Sequence, residues 1–217
     1  MNPVIPPYYP VYIDLTGRKA VVIGGGTVAE RKVRSLLRAR AEVKVISPQL
    51  TKNLERQKAK GILTHVCRSY RRGDLSSAFL VIAATASQEI NERVSRDAPC
   101  LVNVVDKPDL CNFIVPSLVQ RGHLQFAIST SGMSPALARA IRKELEKIYG
   151  KEFADYVKVL KIIRKEALSH IKDKKKRTAF LKSVASEKII TMLRSKGLRT
   201  TKRFVTELSK KAVEKGS

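Results

Sequence analysis

The sequence predicts an α/β protein: a doubly wound parallel sheet, then a short α+β segment, then a helical C-terminal part. Two observations predict the sheet. Apolar, β-branched runs alternate with helix-like segments over the first half of the chain, and one such run ends in three consecutive glycines. A third observation predicts the helical end, because after residue 150 the apolar residues recur only at helical spacing.

The first predicted strand, residues 20–24, is short, apolar and β-branched, as is typical of a strand buried on both faces. It leads through Gly24, Gly25 and Gly26 into an amphipathic helix. In this arrangement Gly24 permits a tight turn, Gly26 lets a pyrophosphate approach the backbone, and Ala29 lets helix and strand pack closely. The N–H groups at the helix start would then face the phosphates. We therefore predict a dinucleotide site, with a plain tight turn as the alternative.

The second predicted strand, residues 42–47, lacks the acidic residue that commonly holds the adenosine ribose at the end of this strand. Ser47, Pro48 and Gln49 stand there instead. Ser47 or Gln49 could hydrogen-bond the ribose, and no arginine follows immediately to receive a 2′-phosphate. This pattern favours NAD over NADP.

Three further strands complete the predicted sheet, at residues 62–67, 78–83 and 101–105, with one helix beginning at residue 27 and others at 50–60 and 88–96. A short strand or edge segment is also expected at residues 11–15. The strand 78–83 ends in small residues that include Thr85, at the strand end where open α/β sheets bind ligands. Ser87 suits the N-cap of the next helix.

The fifth strand ends in Asn103, Val104, Val105 and Asp106. A carboxylate at the tip of a strand beside the predicted crevice could act as a general base, anchor a substrate, or cap the next turn. These residues by themselves leave the three roles open.

Beyond Asp106 the pattern changes to two apolar runs around Arg121 and Gly122, at residues 113–119 and 124–129, which predict two more strands or a strand pair, followed by a hydroxyl-rich loop. Ser134 and Pro135 suit the N-cap and the first position of a helix over residues 136–149. The loop before this helix is a second potential anion site. Three helices are predicted in the tail, with an exposed loop at the charged run 172–177; the last two cover residues 180–193 and 204–213.

Charge is the most unusual bulk property, since 43 Lys and Arg outnumber 19 Asp and Glu and give a net charge of +24. Such a field attracts nucleic acid, an anionic membrane surface or a substrate with many carboxylates, although a solvated basic surface is the simpler alternative. The three cysteines match no zinc spacing, so reduced thiols and no metal site are expected. The N-terminus lacks the features of a signal peptide and no apolar run approaches membrane-spanning length, which predicts a cytoplasmic protein without a membrane partner.

Five blocks of sequence, in the right order, resemble the precorrin-2 dehydrogenases of the siroheme-synthase type, some of which also insert iron as sirohydrochlorin ferrochelatases. The blocks are residues 22–32, 83–85, 103–106, 113–117 and 129–139. The resemblance covers about two thirds of the chain, from residue 9 to residue 149, and is far more specific than the glycine turn.

The resemblance implies an NAD-binding Rossmann-like domain at residues 1–112, a central α+β dimerisation and substrate-cleft segment at 113–149, and a basic helical domain at 150–217. It implies a homodimer that oxidises the tetrapyrrole precorrin-2 to sirohydrochlorin with NAD in siroheme biosynthesis, with ferrochelation of the product as an open addition. The residues that it places at the cofactor, beyond the glycines, Ser47 and Thr85, are Thr27, Val28, Pro48 and Gln49. Asp106 matches the general acid/base, and the residues expected at the substrate cleft are Asn103, Thr130, Ser131, Gly132 and Ser134.

The sequence is also compatible with two other functions. One is a nucleotide-sensing Rossmann module that regulates a partner, which would need neither Asp106 nor the block 129–139. The other is a binder of nucleic acid or anionic surfaces through the basic tail. The tail has few aromatic residues for stacking on bases and no recognisable reading motif, which disfavours nucleic acid.

Overall fold

The structure, a computed structural model, describes residues 8–214. It divides into two compact units, the first ending at Val115 and the second beginning at Pro116. Residues 1–10, which carry four of the nine prolines, are expected to form an irregular lead-in; residues 1–7 of this segment and the last residues, 215–217, lie outside the described part. None of the described helices combines the length and the apolar character that a bilayer crossing requires.

The first unit is a five-stranded sheet in the order β3-β2-β1-β4-β5, and every neighbouring pair is parallel. This confirms the predicted doubly wound α/β fold. Its elements are β1 (Lys19–Ile23), α1 (Thr27–Arg38), β2 (Glu42–Ile46), α2 (Lys52–Ala59), β3 (Thr64–Val66), β4 (Leu80–Ala83), α3 (Gln88–Asp97), β5 (Leu101–Val104) and a 3₁₀ turn (Pro108–Leu110).

Each face of this sheet carries its own apolar core. On one face, α1 and α2 bury side chains such as Val33 and Leu54 against alternate residues of the strands. On the other face, α3 contributes Val94, and the connection from β3 to β4 contributes Tyr70 and Leu75. That connection runs as turns rather than as a helix. Two buried side chains therefore replace a helix on this part of the sheet.

The second unit begins with an antiparallel strand pair and continues with four helices. Its elements are β6 (Ser117–Arg121), β7 (Leu124–Ile128), α4 (Pro135–Ile148), α5 (Glu152–His170), α6 (Lys174–Ser183) and α7 (Glu187–Glu214). The predicted division of this region at residues 149 and 150, with a dimerisation segment before it, stays a prediction.

An aromatic cluster joins the strand pair of the second unit to its helices. The ring of Tyr149 lies 4.6 Å from that of Phe126 and 5.1 Å from that of Phe153. The Arg194 guanidinium of α7 stacks over Tyr149 at 5.0 Å. Arg121 of β6 donates to the carbonyl oxygen of Tyr149 at 2.7 Å, just after α4 ends. The packing in this unit therefore continues from β6 to α7.

Four expectations about the fold are wrong in detail. Residues 11–15 belong to neither of the two described sheets, because alternation alone provides no neighbouring strand to pair with. Helical spacing places Val28 on one face of α1 with Leu36 and Leu37, but the buried apolar side chains of this helix are Ala29, Val33 and Leu36, and Val28 is 37% exposed.

The charged run near residue 174 is helical rather than a loop. The Asp173 carboxylate accepts a hydrogen bond from the N–H of Lys176 and caps α6, and Phe180 anchors this helix in the core. The helix predicted over 180–193 is interrupted, since α6 ends at Ser183 and α7 begins at Glu187. Within α7, Gly197 has a φ of 72°, which kinks the helix.

Candidate functional site

A cavity of about 620 Å³ opens at the carboxyl ends of β1, β2 and β4. In the observed strand order, the chain runs outward from β1 through β2 to β3 and then crosses back to β4, which lies on the other side of β1. Open α/β sheets bind ligands at such a topological switch point. We call this space the switch-point cavity. Its lining residues are Ile23, Gly24, Gly25, Gly26, Ile46, Ser47, Pro48, Gln49, Leu50, Thr51, Ser69, Tyr70, Ala84, Thr85, Ala86 and Ile90.

The three glycines after β1 have different surroundings. Gly24 has a φ of 117°, and a β-carbon there would overlap the carbonyl oxygen of Ala84. A β-carbon on Gly25 would overlap the carbonyl oxygen of Gln49. Around Gly26 nothing lies within 4 Å of the position that a β-carbon would take. The first two glycines are therefore required by packing, whereas the third leaves open space at the start of α1.

The structure brings most of the predicted cofactor residues together. Gly24, Gly25, Gly26, Ser47, Pro48, Gln49 and Thr85 line the switch-point cavity. Thr27 and Val28 do not line it, and they form the exposed first residues of α1.

The wall formed after β2 is fixed by hydrogen bonds. Ser47 is buried, its N–H donates to the carbonyl oxygen of Val66, and its own carbonyl oxygen lies 2.9 Å from Nε2 of His65. Further along, the N–H of Thr51 donates to the carbonyl oxygen of Gly25 at 3.0 Å. The segment that replaces the usual acidic strand end is thus held at both of its ends.

The opposite wall, after β4, is organised by a buried side chain, Asn91, that no sequence motif indicates. The Asn91 amide donates to the carbonyl oxygen of Thr85 at 3.1 Å, and its Oδ1 lies 2.9 Å from the Thr85 hydroxyl oxygen. The Ser87 hydroxyl accepts from the N–H of Ile90, so the predicted N-cap is confirmed. Asn91 gave no signal in sequence because an asparagine in a helix is normally solvent-exposed.

Tyr70 is a second lining residue that no motif indicated. Its hydroxyl donates to the Asp97 carboxylate at 2.8 Å. Burial, and then this hydrogen bond, raise the pKa of Tyr70 well above its ordinary value of 10.0, so the phenol stays protonated. The neighbouring turn is held by Arg68, which donates to both carboxylate oxygens of Asp74 at 2.8 and 2.7 Å.

Asp106 lies two residues beyond β5, at the same edge of the sheet as the switch-point cavity. It is exposed and has a φ of 58°, a left-handed conformation that Asp and Asn adopt more readily than most residues. Asn103, by contrast, is buried, and its amide donates to the carbonyl oxygen of Phe113 at 3.1 Å. Asp106 is therefore accessible, while the Asn103 amide is engaged in fixing the chain after β5.

A half-buried lysine on α1 interacts electrostatically with Asp106. Burial lowers the pKa of the Lys32 ammonium, and Arg31 acts in the same direction, whereas Cys111 and Asp106 oppose the shift. In the described part of the chain no carboxylate lies within 4.0 Å of this ammonium group. Lys32 thus brings positive charge near the edge that carries Asp106.

The remaining predicted residues lie in the second unit, in the loop before α4. Thr130 accepts a hydrogen bond from the N–H of Ser134 at 3.0 Å, and the Ser134 hydroxyl accepts from the N–H of Leu137. Ser131 and Gly132, which lie between Thr130 and Ser134 in the chain, have φ values of 52° and 85°, respectively. The predicted N-cap at Ser134 and first position at Pro135 are confirmed.

The residues present fit a dinucleotide. A volume of about 620 Å³ lies within the range typical of small-molecule and cofactor sites. The open space at Gly26 lies at the start of a 12-residue helix, whose first N–H groups favour phosphate.

For metals, no group of three or more His, Cys, Asp or Glu side chains within residues 8–214 is placed to hold an ion.

The fold and the cavity define a protein with a Rossmann-like, NAD(P)-binding domain, and comparisons with known proteins agree. Residues 11–117 match a family model described as putative NAD(P)-binding, and residues 121–148 match one described as sirohaem biosynthesis protein central.

Among relatives, the siroheme synthase of Thioalkalivibrio sulfidiphilus is 38% identical over 176 residues, which are 80% of this chain and 36% of that protein. The siroheme synthase of Mannheimia succiniciproducens is 32% identical over 199 residues, 90% of this chain and 42% of that protein. The chain is thus a homologue of the siroheme synthases. It spans well under half the length of these curated relatives.

A solved structure, that of "SirC, precorrin-2 dehydrogenase", superposes with a TM-score of 0.78 at 27% sequence identity. The match covers 94% of this chain and 100% of that one. The similarity therefore extends through the helical tail, beyond the residues that the two family models match.

Proposed function

We propose that this protein is an NAD-dependent precorrin-2 dehydrogenase that forms sirohydrochlorin in siroheme biosynthesis. The observation that carries the proposal is the match to SirC over nearly the whole of both chains. A cavity suited to a dinucleotide at the switch point of the sheet supports it independently.

The proposal gives each cavity wall a role. Gly24, Gly25 and Gly26, with the start of α1, would hold the pyrophosphate. The wall of Ser47, Pro48 and Gln49 would hold the adenosine ribose, and Thr85 would lie beside the cofactor. Thr27 and Val28, exposed at the start of α1, would contact it from the rim. When bound, NAD would act as the two-electron oxidant by accepting a hydride.

Asp106 is proposed as the general acid/base. Dehydrogenation removes two hydrogens from the macrocycle, one of which leaves as a proton, and an accessible carboxylate can accept that proton. The half-buried Lys32 ammonium brings positive charge near this edge of the sheet and attracts anionic groups.

Precorrin-2 carries acetate and propionate arms around its ring, so a protein with a net charge of +24 would concentrate it. We propose that the loop of Thr130, Ser131, Gly132 and Ser134 binds some of these arms. The hydroxyl groups of Thr130 and Ser134 accept backbone hydrogen bonds, and each keeps a proton to donate to a carboxylate.

A homodimer is part of the proposal. The second unit exposes large apolar side chains on its strand pair and on α4: Leu118 is 44%, Leu137 53% and Ile148 44% exposed. Apolar surface of this kind is typical of an interface. Light scattering coupled to size-exclusion chromatography should give twice the mass of the chain, 24.2 kDa, and a monomer would contradict this part.

A paired assay tests the function. The purified protein is mixed with precorrin-2 and NAD, and NADH formation is followed by its absorbance. Fe²⁺ or Co²⁺ is then added to sirohydrochlorin to test ferrochelation, which stays a prediction. NAD binding without any turnover of precorrin-2 would instead favour the nucleotide-sensing module.

A further inference from the structure

The carboxylate of Glu30 is a buried junction between α1 and the segment after β2. It accepts a hydrogen bond from the Thr51 hydroxyl at 2.6 Å and another from the Asn53 amide at 3.0 Å. Arg34, one turn along α1, donates to it at 3.0 Å. Of these partners, Thr51 and then Asn53 contribute most to keeping the pKa of Glu30 below its ordinary value. The carboxylate is therefore ionised at neutral pH, with both oxygens engaged.

Thr51 transmits this anchoring to the switch-point cavity. It lines the cavity, and its hydroxyl also accepts a hydrogen bond from the N–H of Leu54 as the N-cap of α2. Its own N–H donates to the carbonyl oxygen of Gly25. A hydroxyl that must accept from one group and donate to another has a single orientation. Glu30 does not line the cavity itself, but it bonds to Thr51, which does. Through Thr51 it holds the wall after β2 against the glycine turn.

An ion pair alone does not explain this arrangement. Arg34 has 53% of its side chain exposed, and an exposed i,i+4 pair contributes little to stability. The other two donors come from residues more than twenty positions away, in a segment that lacks an acidic residue of its own at the strand end. A buried carboxylate is costly unless it is fully hydrogen-bonded, and here its bonds fix one wall of a cavity.

We propose that Glu30 is a positioning residue for the dinucleotide, which holds the wall of residues 47–51 at the separation from the glycine turn that the adenosine half of NAD requires. The inference rests on the proposed NAD-binding function. Glu30 touches no substrate or cofactor atom in this proposal and acts through Thr51.

The test is isothermal titration of NAD into the full-length wild type and Glu30→Gln, alongside steady-state kinetics with precorrin-2. Glu30→Gln replaces an acceptor oxygen by a donor that opposes the Thr51 or Asn53 donor. We expect the dissociation constant and the KM for NAD to rise by about tenfold, the factor that corresponds to one lost charge-assisted hydrogen bond. The kcat at saturating NAD should stay near that of the wild type.

Glu55→Gln is the matched control, because it makes the same change to an exposed carboxylate on α2 and should bind NAD as the wild type does. If Glu30→Gln fails to fold, Asn53→Ala removes one donor from the same carboxylate and should weaken NAD binding in the same direction. Unchanged NAD affinity in folded Glu30→Gln, or in Asn53→Ala when Glu30→Gln does not fold, would overturn the inference. So would a fall in kcat with KM unchanged.

The two proposals fail in different ways. Wild-type protein that binds NAD but does not turn over precorrin-2 would remove the dehydrogenase proposal, while weaker NAD binding by Glu30→Gln would still support the positioning role. Wild-type protein that does not bind NAD would overturn both. Normal NAD binding and turnover in both wild type and Glu30→Gln would remove only the role of Glu30.

Discussion

The backbone N–H of Thr51 donates a 3.0 Å hydrogen bond to the carbonyl oxygen of Gly25. This bond joins the segment after β2 to the turn after β1, and close packing of Gly25 against Gln49 reinforces it. The wall and the turn are therefore one packed structure. Of the three consecutive glycines, only Gly26 faces open space, so a side chain can be added there without disturbing the protein itself.

Gly26→Ala should separate cofactor binding from folding. Gly26 has a φ of −80° and a ψ of −174°, which alanine adopts without strain. The free energy of unfolding should change by less than about 1 kcal/mol, the scale of an N-cap change. The added methyl group would occupy the space in which a pyrophosphate approaches, so NAD should bind about tenfold more weakly or worse, a loss of at least 1.4 kcal/mol. Calorimetric titration and thermal unfolding measure the two effects.

Gly25→Ala is the contrasting variant, because its β-carbon would overlap the carbonyl oxygen of Gln49. It should lower the melting temperature as well as the NAD affinity. If Gly26→Ala bound NAD as tightly as the wild type, the phosphates would not pass over this turn, and the cofactor role of Gly26 would be withdrawn.

Local patterns predicted the sheet and the glycine turn, because buried parallel strands are continuous apolar runs and only glycine fits beside Ala84 and Gln49. The residues that hold the cavity walls were not predictable in the same way. Glu30 bonds to Thr51, 21 residues away, and Tyr70 bonds to Asp97, 27 residues away. Such pairs form only when the fold brings distant segments together, and neither partner stands out in a local window.

In the helix α6, by contrast, the local composition predicted the wrong structure. Its run of Lys174, Lys175 and Lys176 looks like a solvated loop by composition. A single cap at Asp173 and a single buried anchor, Phe180, are sufficient to make it helical within the packed unit. Tertiary packing therefore overrode the local pattern, as it also did for Val28, which periodicity placed on the same face of α1 as Leu36 and Leu37.

Asp106→Asn should abolish most turnover while leaving NAD binding intact. Asparagine tolerates the φ of 58° at this position, so the change removes the carboxylate without straining the backbone. Turnover of precorrin-2 should fall by about 10² or more, the usual contribution of a positioned acid/base. The rate is followed by NADH absorbance and the affinity by calorimetry.

Asp109→Asn provides the control for this change, because Asp109 is an exposed carboxylate three residues further along and should keep the wild-type rate. Wild-type turnover in Asp106→Asn would remove Asp106 from the mechanism. A loss of NAD affinity equal to the loss of rate would make it a binding residue instead.

A chain truncated after Val115 should fold and bind NAD. Both core clusters of the sheet consist of residues within the first unit, and the switch-point cavity is lined by the same unit. The truncated protein should therefore show a cooperative thermal transition and an NAD affinity like that of the full chain, measured by calorimetry. An unfolded product, or a folded one that has lost NAD affinity, would mean that the second unit completes the first.

Acid should destabilise the first unit in part through Asp74. The two hydrogen bonds from Arg68, and one from the N–H of Arg71, hold the pKa of Asp74 below its ordinary value of 3.8 although partial burial acts against them. Because the folded pKa is the lower one, the unfolded chain binds more protons in the window between the two values. The stabilisation is therefore fully present above the ordinary pKa and is lost as the pH falls through the folded pKa.

Thermal unfolding of wild type and Asp74→Asn measures this directly, over the range from about pH 7 down to about pH 2 in which carboxylates titrate. At neutral pH the variant should melt at a lower temperature, because the Arg68 guanidinium loses its charged partner. The gap between the two melting temperatures should narrow as the pH falls below 3.8. A gap of constant size would show that the lost stability comes from packing of the Asp74 side chain rather than from its charge. The turn that lines the cavity at Tyr70 would then be held by shape and not by the ion pair.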